Sequence, residues 1–297
     1  MLPDELESLA MRHVPGRGKP DIHRLSQGLV NETYRVLRDG SAYALRVAVA
    51  NGADLGLDRV WEARVLELAV AANLTPALAY CDPQRGILIA RWVDGRSWSP
   101  ADVRLPANIS RMAEFARRIH ALPIPAPARP MSPAKWIDHY TEAARLGDAR
   151  PRDLGAALRP AATARLAALA GLPSAEAVLC HSDLHTLNLI DRGRSLMLLD
   201  WEYAHASDPL WDLAGWCANN DFEEEPRQAL LASYAGRAPT ADESSRLQLL
   251  GWLYDYVCLL WSELYLNLQR GVAQGDSSLG SVSARALELT ARLGASM

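Results

Sequence analysis

The sequence predicts an α+β protein in two parts, a small antiparallel-sheet lobe followed by a larger, mainly helical lobe. Three observations carry this. Before residue 94, short runs rich in β-branched and aromatic residues are separated by turn signals. Ile22–Val36 doubles back around Gly28, Asp39-Gly40 precedes Ala42–Val47, and Asp82-Pro83-Gln84-Arg85-Gly86 divides Ala77–Cys81 from the run ending at Val93. Beyond residue 99 the apolar residues recur at helical spacing instead. Between these regions, Asp94-Gly95-Arg96-Ser97 breaks both patterns. We therefore expect a first lobe at 1–93, a hinge at 94–98 and a second lobe at 99–297. A chain of 297 residues is long enough for each lobe to have its own core.

In chain order, Leu6–Val14 reads as a short amphipathic helix ahead of the strands, and Val60–Leu68 as a helix with a clear 3.6-residue period. Ile109–Ala121 places Met112, Phe115, Ala116 and Ile119 on one helical face, with His120 read as structural. Leu122–Pro133 alternates proline with small residues, as an extended connector does. Helices are expected at Trp136–Leu146 and Leu154–Leu172, the second alanine-rich with a leucine stripe.

The formal charge of −4, with no basic stripe to offset it, argues against nucleic acid as a partner. Cys81, Cys180, Cys217 and Cys258 form no Cys-x2-Cys pair, which suits buried free thiols in a reducing compartment rather than a zinc site. The opening Met1-Leu2-Pro3-Asp4-Glu5 lacks the layout of a signal peptide. The apolar stretch Trp252–Leu268 carries Asp255 and Glu263, too polar for a bilayer span. A cytoplasmic protein without a membrane partner is expected.

The chain's chemistry concentrates in Cys180-His181-Ser182-Asp183-Leu184-His185-Thr186-Leu187-Asn188, followed by Met197-Leu198-Leu199-Asp200-Trp201-Glu202. Asp183, Asn188 and Asp200 each stand where an apolar run gives way to a loop. Singly, each reads as a turn former. Together, a carboxylate, an amide and a second carboxylate suit a base and two oxygen ligands for a hard cation. The joint pattern His-x-Asp-x4-Asn, a short hairpin, then apolar-apolar-Asp, resembles the aminoglycoside phosphotransferase and choline kinase superfamily, whose fold is bilobal and protein-kinase-like. That resemblance implies Asp183 as catalytic base, with Asn188 and Asp200 holding Mg2+ on ATP. Ser182 stands where many relatives have glycine. Asp200-Trp201-Glu202 stands where protein kinases have Asp-Phe-Gly, which points towards small-molecule kinases.

The resemblance extends upstream. It implies that the turn at Gly28 covers the nucleotide phosphates with its backbone N–H groups, with Asn31 helping to fix that turn. Arg46 stands where kinases place the basic residue that reaches the phosphates, although a charge between Leu45 and Val47 also suits the solvent face of an edge strand. Glu62 is the expected partner of Arg46, with Glu67 an alternative on the same helix. The hinge would take adenine through its backbone.

Downstream, Asp200-x-Glu202-Tyr203 and Trp211-Asp212-Leu213-Ala214 look like the corresponding segments of bacterial choline kinase-like and thiamine kinase-like proteins. Asp212 is expected to accept backbone N–H bonds from the catalytic loop, and His181 to hold that loop's shape. His185 reads as a solvated loop residue or a proton shuttle. Glu202 is open to two readings, a bridge to metal or a negative charge near the acceptor. Tyr254, Trp261 and Tyr265 follow at steps of seven and four, as helix-core packing or as an aromatic cage for a quaternary ammonium group. The acids expected beside such a cage are Asp255, Glu263 or the Asp221–Glu225 run. The expectation is a Mg2+- and ATP-dependent kinase for a small-molecule hydroxyl, choline or ethanolamine first, monomeric or homodimeric. A thiamine kinase, an aminoglycoside or sugar phosphotransferase, and a nucleotide-binding pseudokinase are the alternatives.

Overall fold

Alternating burial along the early strands, and helical periodicity after them, shape the molecule described by a computed structural model. The structure describes residues 3–27, 30–48, 52–146, 154–269 and 277–295. In order these form α1 (Pro3–His13), β1 (Asp21–Gln27), β2 (Asn31–Arg38), β3 (Ser41–Ala48), α2 (Arg59–Ala71), β4 (Leu78–Asp82) and β5 (Ile87–Arg91). Then come α3 (Pro106–His120), α4 (Pro133–Leu146), α5 (Arg159–Ala170), β6 (Val178–Cys180), β7 (Leu189–Asp191), β8 (Leu196–Leu198) and β9 (His205–Ser207). Four helices close the chain: α6 (Leu210–Asn219), α7 (Glu224–Ala235), α8 (Ala241–Leu268) and α9 (Ser277–Ala295). The architecture is α+β. Two units form: Met1–Ala53, Leu57–Ser97 and Asn188–Glu202 make one, and Asp54–Gly56, Trp98–Leu187 and Tyr203–Met297 the other.

The first unit is built on a five-stranded antiparallel sheet in the order β1-β2-β3-β5-β4. Tyr34 and Val36 of β2, Tyr43, Leu45 and Val47 of β3, and Ile87 and Ile89 of β5 point to one face. There they meet Leu6, Leu9, Ala10 and Val14 of the α1 region. Arg38 pins α1 to the sheet, donating to the carbonyls of Met11 (2.8 Å), Val14 (2.5 Å), Ala10 (3.3 Å) and Gly18 (3.1 Å). Asp58 caps α2 by accepting from the Val60 and Trp61 amides. The buried stripe of α2 then runs Trp61, Glu62, Val65, Leu66 and Ala69, so a carboxylate sits among apolar neighbours. The β7–β8 hairpin joins this unit through paired backbone bonds between Arg96 and Asp191 and through Leu198 N–H to the Leu74 carbonyl. A Cβ on Gly95 would stand 2.4 Å from the Ile190 side chain, so this close approach requires glycine.

In the second unit α8 is the central post, packed by α4, α5, α6 and α9, while α3 packs on α7. A capping box between Thr240 and Glu243 starts α8. The single helix expected at Leu154–Leu172 divides into a 3-10 turn at Ala156–Leu158 and then α5. Pro160 explains the break, because its ring and missing N–H suit only the first turn of a helix. The proline-rich connector is extended where Arg129–Met131 exchanges backbone bonds with Ala206 beside β9. Among the described residues, no helix is long and apolar enough to cross a membrane.

Candidate active site

In the first unit, Arg46 lies on β3, hydrogen-bonded between β2 and β5 and so on an interior strand rather than an edge. Its guanidinium donates to Glu62 Oε1 at 2.6 Å and to Asp200 Oδ1 at 2.7 Å. Burial works against its charge, but Glu62, Asp200 and Glu202 together outweigh burial and raise its pKa above the ordinary arginine value. Asn188 and Asp200 flank the open end of the β7–β8 hairpin, where the Leu199 N–H donates to the Asn188 carbonyl at 2.8 Å. Asp200 adopts a left-handed backbone with φ of 63°, a conformation that non-glycine residues keep only under constraint.

A second arginine completes this set. Arg59 donates to Glu202 Oε2 at 2.6 Å, to Glu62 Oε2 at 2.9 Å and to Asn31 Oδ1 at 2.9 Å. The Asn31 amide returns a 2.8 Å bond to Glu202. Arg59 was not foreseen, yet the chain carries a signal for it. A cation in the first turn of α2 opposes the helix dipole, and a broken local rule of that kind points to a tertiary partner. Burial lifts the Glu62 pKa, but Arg46 and Arg59 outweigh it and hold the carboxyl below its ordinary range. For Glu202 the balance reverses. Burial and the neighbouring Asp200 outweigh both arginines and push its pKa up to about 7. Oxygens of Glu62, Asp200 and Glu202 lie within 4.8 Å of one another, three carboxyl groups gathered around two guanidinium groups. Such an oxygen donor set fits a hard divalent cation. Gly28 lies outside the described residues.

In the second unit, Asp183 sits in the loop after β6. Asp212, in the first turn of α6, accepts from the backbone N–H groups of His181 (2.9 Å) and Ser182 (2.6 Å). It also pairs with His120 Nε2 at 3.0 Å. Burial raises its pKa, but the His120 bond and the backbone donors prevail and keep it charged. The Asp183 N–H donates to His181 Nδ1 at 3.2 Å, and His185 Nε2 lies 3.4 Å from Asp183 Oδ2. Ser182 has φ of 71°, which accounts for glycine's suitability at this position. Its hydroxyl meets His205 Nδ1 at 2.9 Å. His205 is fully buried, and burial drops its pKa to about 4, so the ring is neutral.

The aromatic residues divide. Trp261 and Tyr265 stack at 5.3 Å with planes 8° apart, and Trp261 Nε1 donates to the Tyr203 hydroxyl at 2.6 Å. Tyr203 in turn meets the edge of Trp136, which stacks on Tyr140. Tyr254 packs instead on Trp211 at 5.2 Å, is 4% exposed, and accepts a bond from Asn219. Tyr203, one residue beyond Glu202 in the motif, was not singled out from the sequence. Three of the acids expected beside the cage have other partners: Asp255 and Asp221 both pair with Arg292, and Glu263 accepts the Leu154 and Gly155 amides.

The fold is shared with known proteins. A structure of a choline/ethanolamine kinase family protein from Mesorhizobium loti is 25% identical, covers 99% of this chain and 94% of its own, and superposes with a TM-score of 0.77. The choline kinase LicA from Streptococcus pneumoniae shares the fold at 21% identity and a TM-score of 0.77, covering 97% and 98% of the two chains. Protein LicA of Haemophilus influenzae is 25% identical over 111 residues, which span 35% of this chain but only 41% of that relative. The model of the phosphotransferase enzyme family matches residues 21–247, from β1 into α8. With the fold, the loop and the acid–arginine cluster in place, the chain belongs to the phosphotransferase enzyme family, whose members transfer phosphate to hydroxyl groups.

Proposed function

We propose that this chain is an ATP-dependent, Mg2+-requiring kinase for the hydroxyl of a small amino alcohol of the choline or ethanolamine type. The observation that carries the kinase reading is the Glu62–Arg46–Asp200 bridge, an arginine on an interior strand held between a helix carboxylate and the carboxylate that closes the hairpin. In this mechanism Asp183 receives the proton of the acceptor hydroxyl as its oxygen attacks the γ-phosphorus, and the bond from that phosphorus to the ADP oxygen breaks. Arg46, oriented by Glu62, steadies the phosphates. Asn188, Asp200 and Glu202 would hold the cation, whose chemistry when bound is to neutralise phosphate charge. Catalysis on this reading is mostly positioning and charge compensation.

The amino-alcohol acceptor is supported by two features. Half-buried Trp261, backed by its stack on buried Tyr265 and joined to half-buried Tyr203, offers an aromatic face of the kind that attracts ammonium cations. A polycationic aminoglycoside calls for several uncommitted acids, whereas Asp221, Asp255 and Glu263 are already engaged. The similarity to a choline/ethanolamine kinase family protein of Mesorhizobium and to the choline kinase of Streptococcus agrees with the choice. The same face suits a thiazolium ring, so thiamine belongs in the test.

The test is ADP release by the purified protein with Mg-ATP and, separately, choline, ethanolamine, thiamine, an aminoglycoside and several sugars. Turnover with choline or ethanolamine is expected, and Asp183→Ala should lower it at least 100-fold while nucleotide affinity stays within a few-fold. Turnover confined to an aminoglycoside or sugar would reject the amino-alcohol reading. An Asp183→Ala protein of full activity would remove that residue as base.

A further inference from the structure

Helix α6 presents two polar side chains seven residues apart, Asp212 and Asn219, which at 100° per residue fall on the same helical face about 10 Å apart along the axis. Asp212 grips the loop before the base, at the amides of His181 and Ser182. Asn219 grips it after the base, its Nδ2 donating to the Leu184 carbonyl at 3.0 Å. The second hydrogen on the same nitrogen goes to the Tyr254 hydroxyl on α8, at 3.1 Å. Asp183 is the one residue between these two anchored peptide positions.

We infer that Asn219, backed by Tyr254, is a positioning residue for the base Asp183, so that α6 clamps the catalytic loop from both sides. This rests on the kinase reading above. The chemistry of Asn219 suits this role, because its amide nitrogen offers two donors without bringing a charge, here directed to a carbonyl acceptor and a hydroxyl oxygen. Tyr254 is buried, and burial together with the nearby Cys258 and Asp183 raises its pKa well above the ordinary tyrosine value, so its oxygen remains a neutral hydroxyl. Its ring fills the space against Gly215, where an added Cβ would stand 2.7 Å from the ring edge. That close packing sets where the hydroxyl stands, and the hydroxyl sets where the Asn219 amide points. The clamp explains the position of Tyr254 in the helical core rather than beside Trp261.

Asn219→Asp is the decisive variant. It keeps the shape of the side chain but replaces the donor with oxygens that repel the Leu184 carbonyl. The expected result is a kcat lower by about 10- to 100-fold, with the KM for ATP within three-fold of wild type. Tyr254→Phe, which keeps the ring packing, should lower kcat about 3- to 10-fold. Combined with Asn219→Asp it should add nothing, as two members of one unit do. Hydrogen exchange of the 180–188 loop, read by mass spectrometry on the full chain without substrate, should quicken in both variants and remain at the wild-type rate elsewhere. That second measurement separates the two proposals. Silence of the wild-type enzyme with every acceptor would reject the kinase reading, yet faster loop exchange would still uphold the clamp. Wild-type exchange in Asn219→Asp, or a kcat equal to wild type, would overturn it.

Discussion

Removing Arg59 is the most informative perturbation of the first unit. Arg59→Met keeps the apolar stem of the side chain and deletes the guanidinium. Three bonds are lost, at 2.6 Å to Glu202, 2.9 Å to Glu62 and 2.9 Å to Asn31. Glu62 and Glu202 are each 2% exposed, so water does not replace the missing donor. Two of the lost contacts, to Glu62 and Asn31, contribute about 1–1.5 kcal/mol each at the scale of ordinary hydrogen bonds. Glu202 can escape by taking a proton. At pH 8, about one unit above its folded pKa of about 7, that costs about 1.4 kcal/mol. The sum, roughly 3–5 kcal/mol, matches the usual cost of breaking a buried ion pair on one side.

The pH dependence has a definite sign. Glu202 has a folded-state pKa near 7, above its ordinary 4.5, so between those values the folded chain binds more protons than the unfolded one. Its contribution to stability is therefore greatest below about 4.5 and falls as the pH rises through 7. At pH 5.5 Glu202 is largely neutral in both proteins, and the loss caused by Arg59→Met should shrink by about 1–2 kcal/mol relative to pH 8. Urea unfolding in the presence of a chelator, with and without the substitution at both pH values, reads this directly. A loss below 1 kcal/mol at pH 8, or an equal loss at both pH values, would refute the reasoning.

Two further outcomes are expected. Arg38→Met leaves the carbonyls of Ala10, Met11, Val14 and Gly18 without this donor and should lower the urea midpoint by the equivalent of about 2–4 kcal/mol, with the α1 amides exchanging faster. An unchanged midpoint would show that α1 is held by its apolar face alone. Trp261→Ala removes both the stack on Tyr265 and the donor to Tyr203, and should raise the acceptor KM at least 10-fold with the ATP KM unchanged. An equal rise in both KM values would point to a general loss of fold.

Much of the architecture was legible because it is local. Strand runs punctuated by Asp39-Gly40 and Asp82–Gly86 announce hairpins, and the period of Val60–Leu68 announces α2. A motif with fixed short spacings likewise places Asn188 and Asp200 at the two ends of one hairpin, since a tight turn leaves few ways to join them. The partnership of Arg46 with Glu62 was readable on the same footing, through the resemblance that assigns both positions. Pro160 carried its own warning against an unbroken helix.

What the chain alone did not reveal are the partners chosen by packing across long separations. Arg59 meets Glu202 across 143 residues, and Trp261 meets Tyr203 across 58. The spacing of Tyr254, Trp261 and Tyr265, at steps of seven and four, puts all three along one face of α8, but α8 is buried by several helices, so rings at different heights on it meet different neighbours. Tyr254 therefore goes to Trp211 and Asn219, and Tyr265 to Trp261. The same holds for Asp255 and Glu263, whose charges are absorbed by Arg292 on α9 and by the turn before α5. Residue type and periodicity set which elements form. Which ring or carboxylate stays available for chemistry is settled by tertiary packing, because a buried polar group takes whichever partner the surrounding helices bring within hydrogen-bond reach.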